Sequence, residues 1–264
     1  MAAGAGVGGA RDPWIRPAAG PGPARPLRLF CLPFAGGGAG VYRDWQRAVP
    51  GGAVGAAAEV EVLAVRLPGR ERRLAEPPFD DARVLAKELA GALEPYLDRP
   101  YGIYGHSMGG IVGLALAHEL ARSPRSRRPL ALFVGAAVAP NSLRAEPEWR
   151  GSDAELTGWL RRAGGTPQSV LARPTLLARV LPVLRADLAV FAGYRPRPGE
   201  RLTVPIRGFV GAADPMVTAA AMAGWAAETT AGFHLSRVPG GHFFLAESGR
   251  WILDAIAEQL LAAA

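Results

Sequence analysis

Tyr101-Gly102-Ile103-Tyr104-Gly105-His106-Ser107-Met108-Gly109-Gly110-Ile111-Val112 orders the rest of the chain around itself. Residues 101–104 are a short apolar run, expected to form a buried strand. From Met108 to about Arg122 the residues are Ala-, Leu- and Gly-rich and long enough for a helix. Between them Gly105-His106-Ser107-Met108-Gly109 matches G-x-S-x-G. A strand that passes directly into a helix through such a turn forces the serine into a strained backbone conformation, and only residues without bulk fit two positions to either side. The helix N-terminus beneath the serine also favours developing negative charge. With eight serines and 34 glycines in 264 residues the five-residue pattern arises by chance in about one such chain in eight, so the flanking strand and helix carry the specificity.

Upstream, Leu27–Leu32 is an apolar run broken by Pro33, a strand entering the loop Phe34-Ala35-Gly36-Gly37-Gly38. A helix is expected from about Val41 to Val49, and a strand at Val60–Leu67 ending on Pro68-Gly69-Arg70. Asp80 and Asp81 mark the start of a helix reaching about Leu97, with Val84, Leu85, Leu89 and Leu93 on one face. Downstream, Leu130–Val138, Thr203–Val210 and His234–Val238 read as further strands, with a helix over Met216–Glu228 and a last one over Arg250–Leu261. Apolar strands alternating with helices indicate an α/β fold, a mostly parallel central sheet covered on both faces. Residues of about 141–199 break the alternation and read as helices alone, Asp153–Arg162 and Leu176–Tyr194, a helical insertion that is a lid candidate. Residues 1–26, rich in Ala, Gly and Pro, read as a flexible tail, and 27–264 as one domain.

A serine hydroxyl is a poor nucleophile and needs a base, which in turn needs an orienting acid. Four histidines are available. His106 adjoins the serine within the turn, His118 lies about three turns down the helix, and His234 begins a strand at the far sheet edge. His242 follows that strand after Pro239-Gly240-Gly241, at the same edge as Ser107, and is the expected base. By the same argument the acid follows the preceding strand, where Asp214 stands; it can also cap the helix after it. Asp187, in the insertion, is the next acid to consider. The order Ser107, Asp214, His242 is that of an α/β-hydrolase triad. The expected oxyanion donors are the backbone N–H groups of Met108 and of one residue in Phe34-Ala35-Gly36. Gly36-Gly37-Gly38 lacks the G-x-G-x-x-G spacing and ribose-binding acid of a dinucleotide site.

The formal net charge is +7, and Lys87 is the only lysine among 30 basic residues. The excess favours acidic partners, but no basic cluster with stacking aromatics or nucleic-acid-binding module accompanies it, so no nucleic-acid role is expected. Arg122, Arg125, Arg127 and Arg128 form the densest basic stretch, on a loop leaving the sheet edge opposite Ser107. Cys31, the only cysteine, excludes an intrachain disulfide and a cysteine-built zinc site, and points to a cytoplasmic protein. Neither an 18-residue apolar span nor a secretory leader is present, so no membrane role is expected. Nothing indicates a metal or organic cofactor, and a monomer is the default expectation.

Seven segments together resemble the type II, stand-alone editing thioesterases of polyketide synthase and nonribosomal peptide synthetase systems. They are Phe30-Cys31-Leu32-Pro33-Phe34-Ala35-Gly36-Gly37-Gly38, Arg66-Leu67-Pro68-Gly69-Arg70-Glu71, Tyr104-Gly105-His106-Ser107-Met108-Gly109-Gly110, Ala163-Gly164-Gly165-Thr166-Pro167, Leu184-Arg185-Ala186-Asp187, Gly211-Ala212-Ala213-Asp214 and Gly240-Gly241-His242-Phe243-Phe244. The resemblance spans about Leu27 to Leu261. It implies an α/β-hydrolase fold and hydrolysis of acyl thioesters from the phosphopantetheine arm of acyl or peptidyl carrier proteins, clearing stalled or misprimed groups. It further implies that residues of about 141–199 are a lid over the acyl chamber, that Ala35 is the second oxyanion donor, and that Asp187 belongs to the lid rather than to the triad. Phe34 stands where many such proteins have histidine, a change that leaves a backbone donor undisturbed. Carrier proteins are usually acidic, and Arg161, Arg162 and Arg173 around the insertion are better placed for docking than the Arg122–Arg128 loop. A product-releasing thioesterase or a general small-acyl esterase on the same triad is the alternative; only 26 residues precede Leu27, which favours the stand-alone reading.

Overall fold

The computed structural model describes residues 12–16, 25–47, 56–123, 127–142 and 150–264. Its elements are β1 (Ile15–Arg16), β2 (Leu27–Leu32), α1 (Arg43–Arg47), β3 (Val60–Val65), α2 (Ala82–Leu93), β4 (Tyr101–His106), α3 (Met108–Arg122), β5 (Leu132–Gly135), α4 (Asp153–Ala163), α5 (Gln168–Leu171), α6 (Pro174–Gly193), β6 (Ile206–Gly211), α7 (Ala219–Ala223), β7 (Phe233–Val238) and α8 (Leu245–Ala263). The strands form one sheet in the order β1-β3-β2-β4-β5-β6-β7, parallel throughout except for β1, which runs antiparallel to β3.

The strands alternate between two cores. Phe30 and Leu32 of β2, Ile103 of β4, and Leu132 and Val134 of β5 pack with α2 and α3 on one face. Leu29, Cys31, Tyr104 and Phe133 pack with Trp45 of α1 and with Ile252, Leu253 and Ile256 of α8 on the other. Burial on both faces is why these strands read as continuous apolar runs rather than as alternating ones. α3 is buried and apolar from Met108 to Ala117 because this part lies between sheet, α2 and α6, and only its last turn, with Glu119 and Arg122, reaches the surface. Strand order reverses between β2 and β4, so the loops leaving their carboxyl ends diverge and open a crevice. The loop Phe34–Gly38 and Ser107 both border it.

Several expectations are revised. The segment expected as a tail contains β1, with Ile15 opposite Val65 and Arg16 opposite Ala64; its residues 1–11 and 17–24, residues 48–49 of the helix expected at 41–49, Arg125, and residues 143–149 of the insertion lie outside the described residues. The helix begun by Asp81, whose carboxylate accepts from the amides of Arg83 and Val84, ends at Leu93 and continues as a 3-10 turn over Glu94–Tyr96. Val84 is 52% exposed, and the buried face is Ala82, Leu85, Ala86, Leu89 and Leu93. The strand expected over Leu130–Val138 spans only Leu132–Gly135, because Ala136 adopts a φ of 47° that no strand sustains. The helix expected from Met216 starts at Ala219, capped by the Thr218 side chain, and passes into a 3-10 helix at Gly224.

In the insertion α4 begins with a capping box between Ser152 and Glu155. Leu156, Leu160, Leu171, Leu181, Leu184 and Leu188 make a separate apolar cluster against which Ala35 packs. Val190 and Tyr194, near the end of α6, join the main core, so the insertion is rooted in the domain.

Candidate active site

Ser107 sits between β4 and α3 at φ 53° and ψ −117°, one of three non-glycine residues with positive φ among those described. The glycines around it answer to direct steric demands. A Cβ on Gly105 would lie 2.0 Å from the Gly109 carbonyl oxygen, and one on Gly109 would lie 2.2 Å from the Leu32 carbonyl oxygen. The turn therefore folds β4, α3 and β2 against each other at van der Waals limits, and the Ser107 amide donates to the Gly135 carbonyl of β5 at 2.7 Å. Met108 is the first residue of α3, so its N–H has no intrahelical acceptor.

His242 and Asp214 reach the same edge from β7 and β6. Their loops are tied together by backbone bonds from the Ala212 amide to the Val238 carbonyl at 2.8 Å and from the Ala213 amide to the Gly240 carbonyl at 3.0 Å. His242 Nδ1 lies 2.9 Å from Asp214 Oδ2, with both side chains buried. A carboxylate only accepts, so Nδ1 carries the proton and Nε2 is left as the basic atom. Asp214 Oδ1 accepts from the amides of Met216 at 2.8 Å and Val217 at 3.0 Å. Burial opposes the Asp214 charge, but the His242 hydrogen bond and charge, with these two amides, outweigh it and hold the carboxyl below its ordinary pKa. The acid thus also caps a turn, that of Met216 and Val217 rather than the following helix.

Of the other histidines, His118 in α3 and His234 in β7 lie away from the site, as expected. His106 has a structural task that the sequence did not disclose. It is completely buried; its Nε2 lies 2.7 Å from the His242 carbonyl oxygen and its Nδ1 3.1 Å from the Tyr104 hydroxyl. The carbonyl only accepts, so Nε2–H donates to it and Tyr104 O–H donates to Nδ1. Burial above all, then repulsion from His242, lowers the His106 pKa to about 3, so this ring is neutral at working pH. The signal available beforehand was the two-residue spacing of Tyr104 and His106 along one strand.

Ser107 and His242 open on a cavity of about 120 Å³ lined by Phe34, Ala35, Met108, Trp159, Leu188, Phe191 and their neighbours. Among the described lining residues His242 is the sole titratable group. A second cavity, of about 160 Å³, shares Phe34, Ala35, Trp159 and Phe243 with the first and extends under Gly164-Gly165-Thr166-Pro167. Asp187 is buried on α6, paired with Arg70 through two contacts of 2.7 Å and accepting from the Gly36 amide at 2.7 Å. It is therefore committed away from His242. Arg161, Arg162 and Arg173 are exposed on the insertion. Arg122 is engaged by Glu119 and Glu200, and its loop enters the amino end of β5, opposite the site. Among the described residues no helix is long and apolar enough to cross a membrane, and no three His, Cys, Asp or Glu residues are placed to hold a metal ion.

A carboxylate–imidazole pair that shares an apolar cavity with a half-buried elbow serine at a helix N-terminus is an arrangement suited to acyl transfer. The family model of the thioesterase domain matches residues 27–263. The gramicidin S biosynthesis protein GrsT of Aneurinibacillus migulanus is 34% identical over 238 residues, which cover 90% of each chain. The thioesterase PikA5 of Streptomyces venezuelae is 33% identical over 91% of this chain and 83% of its own. The solved structure of RedJ, a thioesterase from the prodiginine biosynthetic pathway of Streptomyces coelicolor, superposes with a TM-score of 0.81 at 36% identity, covering 92% of this chain and 95% of that one. The chain belongs to the thioesterase family.

Proposed function

We propose that this protein hydrolyses acyl thioesters held on the phosphopantetheine arm of acyl or peptidyl carrier proteins, clearing stalled or misprimed groups from a polyketide or nonribosomal peptide assembly line. The observation that carries the reading is the apolar cavity shared by an elbow serine and an aspartate-paired histidine, in a chain whose relatives belong to such pathways. Ser107 Oγ attacks the thioester carbonyl while His242 Nε2 takes its proton, and Asp214 stabilises the resulting imidazolium. The N–H groups of Met108 and Ala35 bind the oxyanion, each worth roughly 3–4 kcal/mol in the transition state. The tetrahedral adduct collapses to an acyl-serine, and the thiol leaves with the proton from His242. The same imidazole then takes a proton from water, which attacks the ester and frees the acid. Helices α4–α6 act as the lid over the acyl chamber, and exposed Arg161, Arg162 and Arg173 face an acidic carrier protein.

The test compares wild type with Ser107→Ala on short acyl groups loaded on a carrier protein, with the matched p-nitrophenyl ester as control. Ser107-dependent release that strongly prefers the carrier thioester is expected. Equal or better turnover of the simple ester would mean a general esterase, and undiminished turnover by folded Ser107→Ala would overturn the mechanism.

A further inference from the structure

We infer that Arg70 and Asp187 are positioning residues of the oxyanion hole, holding the peptide groups on either side of Ala35 in the orientation that aims its N–H at the reacting carbonyl. The inference rests on the assignment of Ala35 as an oxyanion donor. The N–H of Ala35 belongs to the same planar amide as the Phe34 carbonyl, so fixing one fixes the other. That carbonyl accepts from the Gly37 amide at 2.9 Å, closing a turn in which Gly36 takes a φ of 76°. The next amide is fixed from outside the loop, because the Gly36 N–H donates to Asp187 Oδ2 at 2.7 Å. The far side of the turn is held as well, since Arg70 Nη1 donates to the Gly37 carbonyl at 3.0 Å.

The two side chains that grip the loop also grip each other. Arg70 Nη1 and Nη2 meet Asp187 Oδ2 and Oδ1, each at 2.7 Å, and Arg70 Nε donates to the Pro68 carbonyl at 3.1 Å. The planar guanidinium matches this arrangement in a way an ammonium cannot. Arg70 is 8% exposed and Asp187 2%, so water does not compete for the bonds. Three separate pieces of chain meet here, the loops after β2 and β3 and the insertion helix α6. A loop rich in glycine would otherwise sample many conformations, and a donor that must be oriented during the reaction contributes less than one already in place.

The decisive variant is Asp187→Asn, assayed on a p-nitrophenyl acyl ester and on the carrier-bound thioester, alongside inhibition by two substrate mimics. One is an acyl-chain trifluoromethyl ketone, which Ser107 converts to a tetrahedral oxyanion adduct; the other is the corresponding methylene thioether, which has no carbonyl. The expected result is a fall in kcat of about 10- to 100-fold with KM changed less than threefold. Affinity for the ketone falls in parallel, and affinity for the thioether stays within threefold. Arg70→Lys keeps the charge but loses the fork, and is expected to show the same pattern to a smaller degree; it also carries the test if Asp187→Asn does not fold. A folded variant with undiminished kcat and ketone affinity overturns the inference, as does an equal loss of affinity for both mimics, which would place the pair in chamber structure instead. Wild type that hydrolyses the ester but not the carrier thioester would overturn the proposed substrate while leaving this role intact.

Discussion

At φ 53° and ψ −117° the backbone of Ser107 occupies a region that a residue with a Cβ enters only under strain. Such strain is worth ~1–3 kcal/mol, and glycine, without a Cβ, escapes it. Glycine also loosens the unfolded chain, which costs about 0.4–1 kcal/mol relative to alanine. The difference predicts that Ser107→Gly is more stable than Ser107→Ala by roughly 0–2.6 kcal/mol. The comparison isolates the backbone, because the Ser107 side chain makes no capping hydrogen bond to α3 and both variants lose the hydroxyl. For a domain of this size about 1 kcal/mol moves Tm by ~2–4 °C. Equilibrium urea unfolding followed by tryptophan fluorescence, with Tm as a second measure, reads the ordering. An alanine variant more stable than the glycine variant by about 0.4–1 kcal/mol would show that the elbow holds its serine without strain, and the steric account of G-x-S-x-G would fail.

Asp214→Asn keeps an acceptor for the Met216 and Val217 amides but favours the wrong histidine tautomer; kcat is expected to fall by roughly 10⁴ with little change in Tm, and a loss under tenfold in steady-state turnover would remove Asp214 from the mechanism. Because His106 titrates near 3 when folded and near 6.5 when unfolded, the unfolded state binds the extra proton between those values. Its contribution to stability is complete above pH 6.5 and is lost as pH falls toward 3, at about 1.4 kcal/mol per unit. Urea midpoints measured at pH 7 and 4.5 should therefore converge in His106→Asn relative to wild type, and an unchanged difference would show that His106 is not the source. Among the described residues lining the cavity beside Ser107, a carboxylate finds no basic side chain other than His242, so malonyl-carrier is expected to be hydrolysed at least ~100-fold less efficiently than butyryl-carrier, given a desolvation cost of several kcal/mol. Comparable kcat/KM values for the two would mean that the acyl group binds outside this cavity.

The order of strands and helices, and the edge at which Ser107, Asp214 and His242 meet, were legible in the sequence because chain order and strand direction determine which loops share an edge. Element ends were less so. Met216 and Val217 look helical by composition, yet the Asp214 carboxylate takes their amides and delays the helix to Ala219. Val84 is apolar but falls outside the stripe that faces α3, which is why it is exposed. The distant partners of Asp187 and His106 were not legible. Arg70 and Asp187 are 117 positions apart, and His106 and His242 are 136 apart; no local pattern expresses such pairings. The segments Arg66–Glu71 and Leu184–Asp187 stood out as family signatures, and their meeting supplies a physical reason for it.

β1 is only two residues long, yet much converges on the five residues Asp12–Arg16 that contain it. The Trp14 carbonyl accepts from the Arg66 amide, Gln46 Nε2 donates to the Arg16 carbonyl, Tyr96 O–H donates to Asp12, and Trp14 lies under the Arg73 guanidinium and against Phe79. Trimming the protein to Leu27, where the family match begins, would leave all the proposed catalytic residues in place and uncover the outer side of β3. The bare N–H and C=O groups near Ala64 and Val65 would then offer a template to the strands of other molecules. Such a shortened enzyme is expected to retain its chemistry at high dilution and to aggregate as it is concentrated, making five residues remote from the nucleophile a determinant of colloidal behaviour.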